Sequence, residues 1–364
     1  MVAGPRILVR HGLGEYPVII RPGLLDDLDS LAEEVLPGRR LVAITDRNVA
    51  RAVPPTLKCP FLVVPPGESS KTRRRWADLT DQLLELGLTR QGALVAVGGG
   101  VVGDLTGFVA ATYLRGIPFL QVPTSLLAMV DASVGGKTGL NTKHGKNLVG
   151  AFHPPAAVAV DPLAIRSLRS AHVRGGLMEA IKHGVIADAA YYDWIADSTR
   201  TLLARDPVAV TRLVTTSVTI KSEVVGADEK EEGRRAILNA GHTVGHALER
   251  WSGYRIPHGD AVGIGLHVET VLAEDLGLAP PGTADLPRSR LTALGLTLTL
   301  PPASDDDALL EAMHHDKKVR DHALRFALPR APGLLASLSG AWTTAVSDDS
   351  VRQSLGRART LYQA

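Results

Sequence analysis

Five short apolar runs constrain this chain more than any other feature: LVAIT (41–45), FLVVP (61–65), ALVAVG (93–98), FLQVP (119–123) and AVAVD (157–161). Each is rich in Val, Ile, Leu and Ala without clear alternation, so each reads as a strand buried on both faces. Candidate helices lie between them, such as RRRWADLTDQLLELGL (73–88), with Trp76, Leu79, Leu83 and Leu84 at helical spacing. Strand–helix–strand alternation implies a parallel sheet with right-handed crossovers. Ahead of it, RILVRHGLGEYPVIIRP reads as two strands joined around Gly12 and Gly14.

Past residue 170 the strand signals fade. Long helical patterns take over in GLMEAIKHGVIAD, PVAVTRLVTTSVTIKSEVV and AILNAGHTVGHALERW. Prolines and glycines between Pro280 and Pro302 suggest loops around one helix, LPRSRLTALGL. Ser304, followed by Asp305, Asp306 and Asp307, reads as a helix cap with acids in the first turn. At about 150 residues per domain, 364 residues give two. The expected division is 1–170, an α/β domain, and 171–364, a mostly α-helical one.

Forty Lys and Arg against 38 Asp and Glu leave a net charge of only +2. That argues against nucleic acid or an anionic membrane as the main partner. Aromatics at 4% leave little for a base-stacking surface. The single cysteine, Cys59, excludes an intramolecular disulfide and a cysteine zinc knuckle, and reads as a small buried apolar residue. No run has the length of a signal peptide or of a membrane span. The expected location is the cytoplasm.

The strongest local signal in the first half is ALVAVGGGVVGDLTGF, where Gly98, Gly100 and Gly103 form G-x-G-x-x-G between a strand and a helix. Such a turn lets backbone approach a pyrophosphate at a helix N-terminus, and it makes the α/β domain Rossmann-like. A tight packing turn is the plainer reading. No acid stands at the tip of the following strand, which ends in QVPTS. A ribose would then be read elsewhere, for instance by Glu68 in PPGESSK, with Lys71 pairing a phosphate.

In the second half His242, His246 and His258 fall within seventeen residues. His242 and His246 are four apart and share a helix face. Thr243 stands where H-E-x-x-H needs Glu, which excludes a zincin. A catalytic metal takes three protein ligands and keeps one position open. The missing ligand should be a carboxylate on another element; Glu179, a lone acid in an apolar helix, is the best candidate, against a surface Glu. Cations also sit in glycine-rich or apolar contexts: Lys137 and Lys146 beside Asn147, Lys182 one turn after Glu179, Lys221, Arg235, and Lys317 with Lys318. Singly each reads as solvated surface; together they suggest a small polyanion.

These motifs, from PPGES through GGGVVGDLTGF, VPTSLLAMVDASVGGKTGLN, GKNLVGAFHPP, MEAIKHGVIAD, LNAGHTVGHALE and HGDAVGIG to HDKKVR, closely resemble those of the 3-dehydroquinate synthases, of the sugar phosphate cyclase family. The resemblance implies Glu179, His242 and His258 as ligands of zinc or cobalt, with His246 beside the metal. It implies Lys137, Asn147, Lys182, Lys221, Arg235, Asn239 and one of Lys317 or Lys318 on a phosphorylated sugar-acid substrate. Arg115 is expected on a phosphate, across the interface of a homodimer. NAD is expected over Gly99, Gly100, Val101, Val102 and Gly103, with Asp104, Asp46, Glu68, Lys71, Thr124, Ser125, Lys137 and Lys146 around it, and Asp131 between nucleotide and substrate.

The implied reaction turns 3-deoxy-D-arabino-heptulosonate 7-phosphate into 3-dehydroquinate and phosphate, in the shikimate pathway of aromatic amino acid biosynthesis. It runs by transient oxidation, phosphate elimination, re-reduction and intramolecular aldol closure, so the enzyme is a lyase that regenerates its NAD. Met178, Asp260, Ser125 and Ala240 depart from the family's usual residues without removing a ligand or a charge. Rival readings are an aminodehydroquinate or 2-epi-5-epi-valiolone synthase, a metal-dependent alcohol dehydrogenase, and an inactive binding protein. Retention of Asn239 and of DKK speaks against the valiolone type.

Overall fold

The computed structural model describes residues 4–12, 14–53, 56–285, 292–296, 298–315, 323–338 and 340–361. Lys317, Lys318 and all of LPRSR (286–290) lie outside them. The chain forms two compact units, Met1–Val173 with Arg205–Glu229, and Arg174–Ala204 with Lys230–Ala364.

The first unit is built on a seven-stranded sheet. Its strands are β1 (Arg6–His11), β2 (Gly14–Ile20), β3 (Arg40–Asp46), β4 (Phe61–Val64), β5 (Gly92–Gly98), β6 (Phe119–Pro123) and β9 (Ala157–Val160). Their order is β1-β2-β9-β6-β5-β3-β4. Only β1 and β2 pair antiparallel; every other neighbour is parallel. All residues of β5, β6 and β9 are buried, which is why their sequences show no alternation. The helix Arg73–Glu85 buries Leu79 and Leu83 and starts on Thr72, whose side chain accepts from Arg75 N.

Two features of this unit depart from expectation. SVGGKTGLNTKHGKNLVG, the glycine-rich stretch around Lys137 and Lys146, is an antiparallel hairpin of β7 (Lys137–Thr142) and β8 (Gly145–Phe152). Its glycines and charged residues mask the period of two, and β8 alternates only between half-buried and exposed positions. Residues 205–229, expected within the mostly helical domain 171–364, belong with the sheet. The helix Pro207–Ala227 carries Val210, Leu213, Val214 and Val218 on its buried face and packs against β1 and β2. Asp206 caps it through Val208 N and Ala209 N, and Pro207 opens its first turn.

The second unit is mostly helical, with the helices Ala189–Asp197, His242–Trp251, His258–Asp275, Asp306–His314 and Asp348–Thr360, and most of Ser170–Ala187. Its core gathers Val244, Leu248, Val268, Leu309, Phe326 and Leu355. Two short antiparallel pairs, Leu324–Phe326 with Thr344–Val346 and Pro329–Ala331 with Leu334–Leu335, were not foreseen; strands of two or three residues are too short to show a period. AILNAGHTVGHALERW is not one helix. It breaks at Gly241, in the left-handed region at φ 79°, between a 3-10 turn (Arg234–Asn239) and the helix His242–Trp251. Asp305 rather than Ser304 caps the helix Asp306–His314, and the buried Ser304 hydroxyl donates to Pro301 O. Cys59 is half-buried, and burial pushes its thiol up to about 11, so it stays protonated at neutral pH.

Candidate metal centre and nucleotide turn

In the second unit, three helices each contribute one side chain to a common point. Glu179 lies mid-way along Ser170–Ala187 and is fully buried, not a surface acid. His242 and His258 are the first residues of their helices. Glu179 Oε1 stands 3.6 Å from His242 Nε2 and 3.3 Å from His258 Nε2. These distances suit a shared ion: two atoms each about 2.0–2.2 Å from a tetrahedral zinc lie about 3.3–3.6 Å apart.

The far sides of both rings point the same way chemically. His258 Nδ1 donates to Glu249 Oε2 at 3.1 Å, and His242 Nδ1 donates to Ala240 O at 3.2 Å. With Nδ1 donating, each ring keeps Nε2 on the Glu179 side for an ion, the arrangement that orients and strengthens metal-bound imidazoles. The donor set of one carboxylate and two neutral imidazoles fits a divalent ion with an open fourth position. Burial, and then the Lys182 charge, hold the His242 imidazole well below its usual range. Burial opposes charge on His258 too, but hydrogen bonds and charges from Glu179 and Glu249 outweigh it and raise that ring to about 10, so the metal-free ring carries a proton on Nε2 that a divalent ion must displace. His246, on the same face one turn on, has its ring 5.2 Å from that of His242. Lys182 is 2% exposed, with Nζ 2.5 Å from Glu179 Oε2. Arg235 is buried in the 3-10 turn, and Asn239 donates to Glu231 Oε1 at 2.7 Å.

Sequence reasoning missed Glu249, although a signal existed: it follows His242 by seven residues and His246 by three, on the same helix face. It also missed how the helices meet. A Cβ on Gly259 would lie 2.3 Å from Gly175 Cα, so the helices bearing His258 and Glu179 touch backbone to backbone. Met178, one of the departures noted above, packs its sulfur beside Gly263 and is accommodated in the core. Gly259→Ala is therefore expected to force these helices apart, costing about 1–3 kcal/mol and weakening divalent-ion binding. Thermal unfolding and zinc titration of that variant check both effects.

In the first unit the glycine turn joins β5 to the helix Gly100–Thr112. A Cβ on Gly103 would lie 2.3 Å from Gln121 Nε2 of β6, so this glycine serves helix–strand approach. The chain leaves β3 toward β4 and leaves β5 toward β6, in opposite directions along the sheet. The crevice between β3 and β5 is thus a topological switch point, where open α/β sheets bind ligands. Asp46 ends β3 there and caps the helix Arg47–Ala52 through Asn48 N and Val49 N. β3, next to β5 in the sheet, thus ends in an acid, whereas the tip of β6 has none.

Around this turn Lys71, 3% exposed, pairs with Asp104 and donates to Asn147 Oδ1. Asn141 Nδ2 donates to Glu68 Oε2 at 2.6 Å, and Asn147 N donates to Asn141 Oδ1 at 3.1 Å. Burial raises the Asp104 carboxyl, and the Lys71 ammonium opposes that shift. Asn141 was not foreseen. Thr124 N donates to Gly98 O at 3.0 Å, and Ser125 Oγ faces Gly99. Val102 packs on Gly98, with Val101 beside it half-buried. Lys221 Nζ lies 2.8 Å from Asp131 Oδ1 and donates to Asp131 O. Lys137 and Lys146 stand on the hairpin, exposed and half-buried respectively. Arg115 is exposed on a turn where Leu114, Arg115 and Gly116 have φ of 49°, 68° and 117°.

Comparison with known proteins agrees with this geometry. Residues 61–175 match the family described as 3-dehydroquinate synthase N-terminal, and residues 176–319 match 3-dehydroquinate synthase C-terminal. The 3-dehydroquinate synthase of Symbiobacterium thermophilum is 42% identical over 360 residues, covering 95% of this chain and 99% of that protein. That of Caulobacter vibrioides is 43% identical over 340 residues, covering 88% and 92%. Among solved structures, 2-epi-5-epi-valiolone synthase from Streptomyces hygroscopicus with NAD+ and Zn2+ bound superposes with a TM-score of 0.84 at 27% identity, covering 94% and 96%. Sulfoacetaldehyde reductase from Bifidobacterium kashiwanohense, in complex with NAD+, shares the fold alone at a TM-score of 0.68 and 15% identity, covering 97% and 99%. With both halves matched in order and relatives aligned over nearly their full length, the chain belongs to the 3-dehydroquinate synthase family.

Proposed function

We propose that this chain catalyses the family reaction, using NAD and a zinc or cobalt ion to convert 3-deoxy-D-arabino-heptulosonate 7-phosphate into 3-dehydroquinate and phosphate. The observation that carries the reading is the convergence of Glu179, His242 and His258 at ligand spacing, with both imidazoles oriented from behind. When bound, the divalent ion lowers the pKa of a substrate hydroxyl, and NAD takes up and returns a hydride.

The residues supply binding, orientation and charge. Glu179, His242 and His258 hold the ion, and His246 borders it. Lys182 and Arg235, both buried, present fixed cations where a carboxylate or phosphate can neutralise them. Asn239, tethered by Glu231, offers its amide to a hydroxyl. The glycine turn accepts the pyrophosphate at its helix N-terminus. Asp46 and Glu68 suit ribose hydroxyls, and Lys71 with Asp104 and Asn147 sets the wall beside them. Lys221 and Asp131, held as an ion pair, address the substrate together.

In this reading the enzyme is a phosphate-eliminating lyase, acts in the cytoplasm and works as a homodimer with Arg115 on a phosphate. No helix among the described residues is long and apolar enough to cross a membrane. Incubation of the purified protein with the heptulosonate phosphate, NAD and zinc should release phosphate and yield dehydroquinate with no net NADH. Accumulating NADH, or absence of phosphate release at saturating zinc, would refute the reading.

A further inference from the structure

The helix that begins with His242 has no cap of its own. Its N-cap residue, Gly241, has no side chain and sits at φ 79°. Three backbone N–H groups at this end find one acceptor: Glu269, fully buried, on the helix that begins with His258. Its Oε2 accepts from Gly241 N at 2.6 Å, and its Oε1 accepts from Thr243 N at 3.1 Å and Val244 N at 3.3 Å. A carboxylate at a helix N-terminus is favoured by both the free N–H donors and the helix dipole. The charge-assisted bonds also fix the direction of the helix axis.

The contact joins two of the metal-ligand helices. One turn before Glu269, a Cβ on Gly265 would lie 2.0 Å from Gly241 O and 2.8 Å from Gly245 N. The two helices therefore meet backbone to backbone, and Glu269 closes round that contact onto the turn that carries His242.

We propose that Glu269 is a positioning residue of the metal centre, which sets the His242 imidazole relative to His258 by clamping the first turn of one ligand helix to the other. It touches neither ion nor substrate; its effect is on the distance between the two Nε2 atoms. The proposal rests on the metal assignment above. Outer-shell groups that orient ligands change metal affinity about 10- to 100-fold when removed.

The test uses the full-length protein stripped of metal and titrated with zinc against a chromogenic chelator, and with cobalt while its visible ligand-field spectrum is recorded. Glu269→Ala is expected to weaken zinc binding about 10- to 100-fold and to change the cobalt spectrum. Glu269→Gln, which keeps one acceptor and loses the charge, should fall between it and the parent. It also keeps the test decisive if the alanine variant does not fold. The control is Asp161→Asn: Asp161 is likewise buried and accepts from Gly23 N, Leu25 N and Leu163 N, but in the other unit. It should lower stability and leave zinc affinity and the cobalt spectrum unchanged. Folded Glu269 variants with parental zinc affinity and cobalt spectrum would overturn the proposal, as would an equal loss of affinity in Asp161→Asn. If Glu179→Gln also bound zinc like the parent, the metal assignment itself would fall; if only that variant lost zinc, the Glu269 role alone would fall.

Discussion

Glu179→Gln is expected to lower phosphate release by about a thousandfold or more, equivalent to roughly 4 kcal/mol of transition-state stabilisation. The amide keeps the shape and loses the charge that three neighbours share. His242 and His258 face Oε1, and Lys182 pairs with Oε2. A divalent ion held by two imidazoles alone lacks its anionic ligand, so zinc content should fall with activity. The substitution also takes a charge partner from the Lys182 ammonium, which is 2% exposed, and breaking a buried ion pair costs about 3–5 kcal/mol. Glu179→Gln combined with Lys182→Met separates the two effects. The double variant should regain most of the lost stability and none of the activity. Parental turnover in metal-depleted buffer by Glu179→Gln would show the ligand assignment to be wrong. His258→Ala should likewise lose metal, since it removes one of the three candidate donors.

Lys182→Met carries the second large effect, with a different signature. kcat/KM should drop about 10²- to 10³-fold through loss of a fixed cation, with zinc still bound. Without metal the variant leaves the fully buried Glu179 carboxylate deprived of its lysine. Its apo form should be destabilised by about 3–5 kcal/mol. Zinc supplies a replacement positive charge, so the zinc-induced rise in Tm should be larger in Lys182→Met than in the parent. Equal zinc-induced shifts in the two proteins would argue that Lys182 and the ion do not share Glu179. An unchanged kcat/KM would refute the substrate role of the lysine.

Much of the site was legible from residue order because its parts are local. A glycine turn after a buried strand, and two histidines four apart, are patterns that backbone geometry alone makes meaningful. Glu179 stood out because a lone acid in an apolar helix has nowhere inexpensive to go without a partner. Asp46 and Glu249 carried no such mark, and Glu269, also a lone acid in an apolar helix, carried it without naming what it meets. Asp46 precedes the glycine turn by about fifty residues and comes beside it only through strand order. Glu249 looks like an ordinary helical acid until packing shows that it holds a histidine, and only packing shows that Glu269 caps the neighbouring helix.

The amino-acid sequence by itself determined the central strands and the long helices, and it marked out the candidate metal donors. Strands buried on both faces must be uniformly apolar, and helices must repeat near 3.6, so both leave periodic traces. Tertiary structure alone decided that residues 205–229 join the sheet, that the lysine-bearing glycine stretch is a hairpin, and which acids stand behind the imidazoles. Those outcomes depend on contacts between segments far apart in the chain. Such contacts are settled by shape and burial across the whole fold and leave no local period to read.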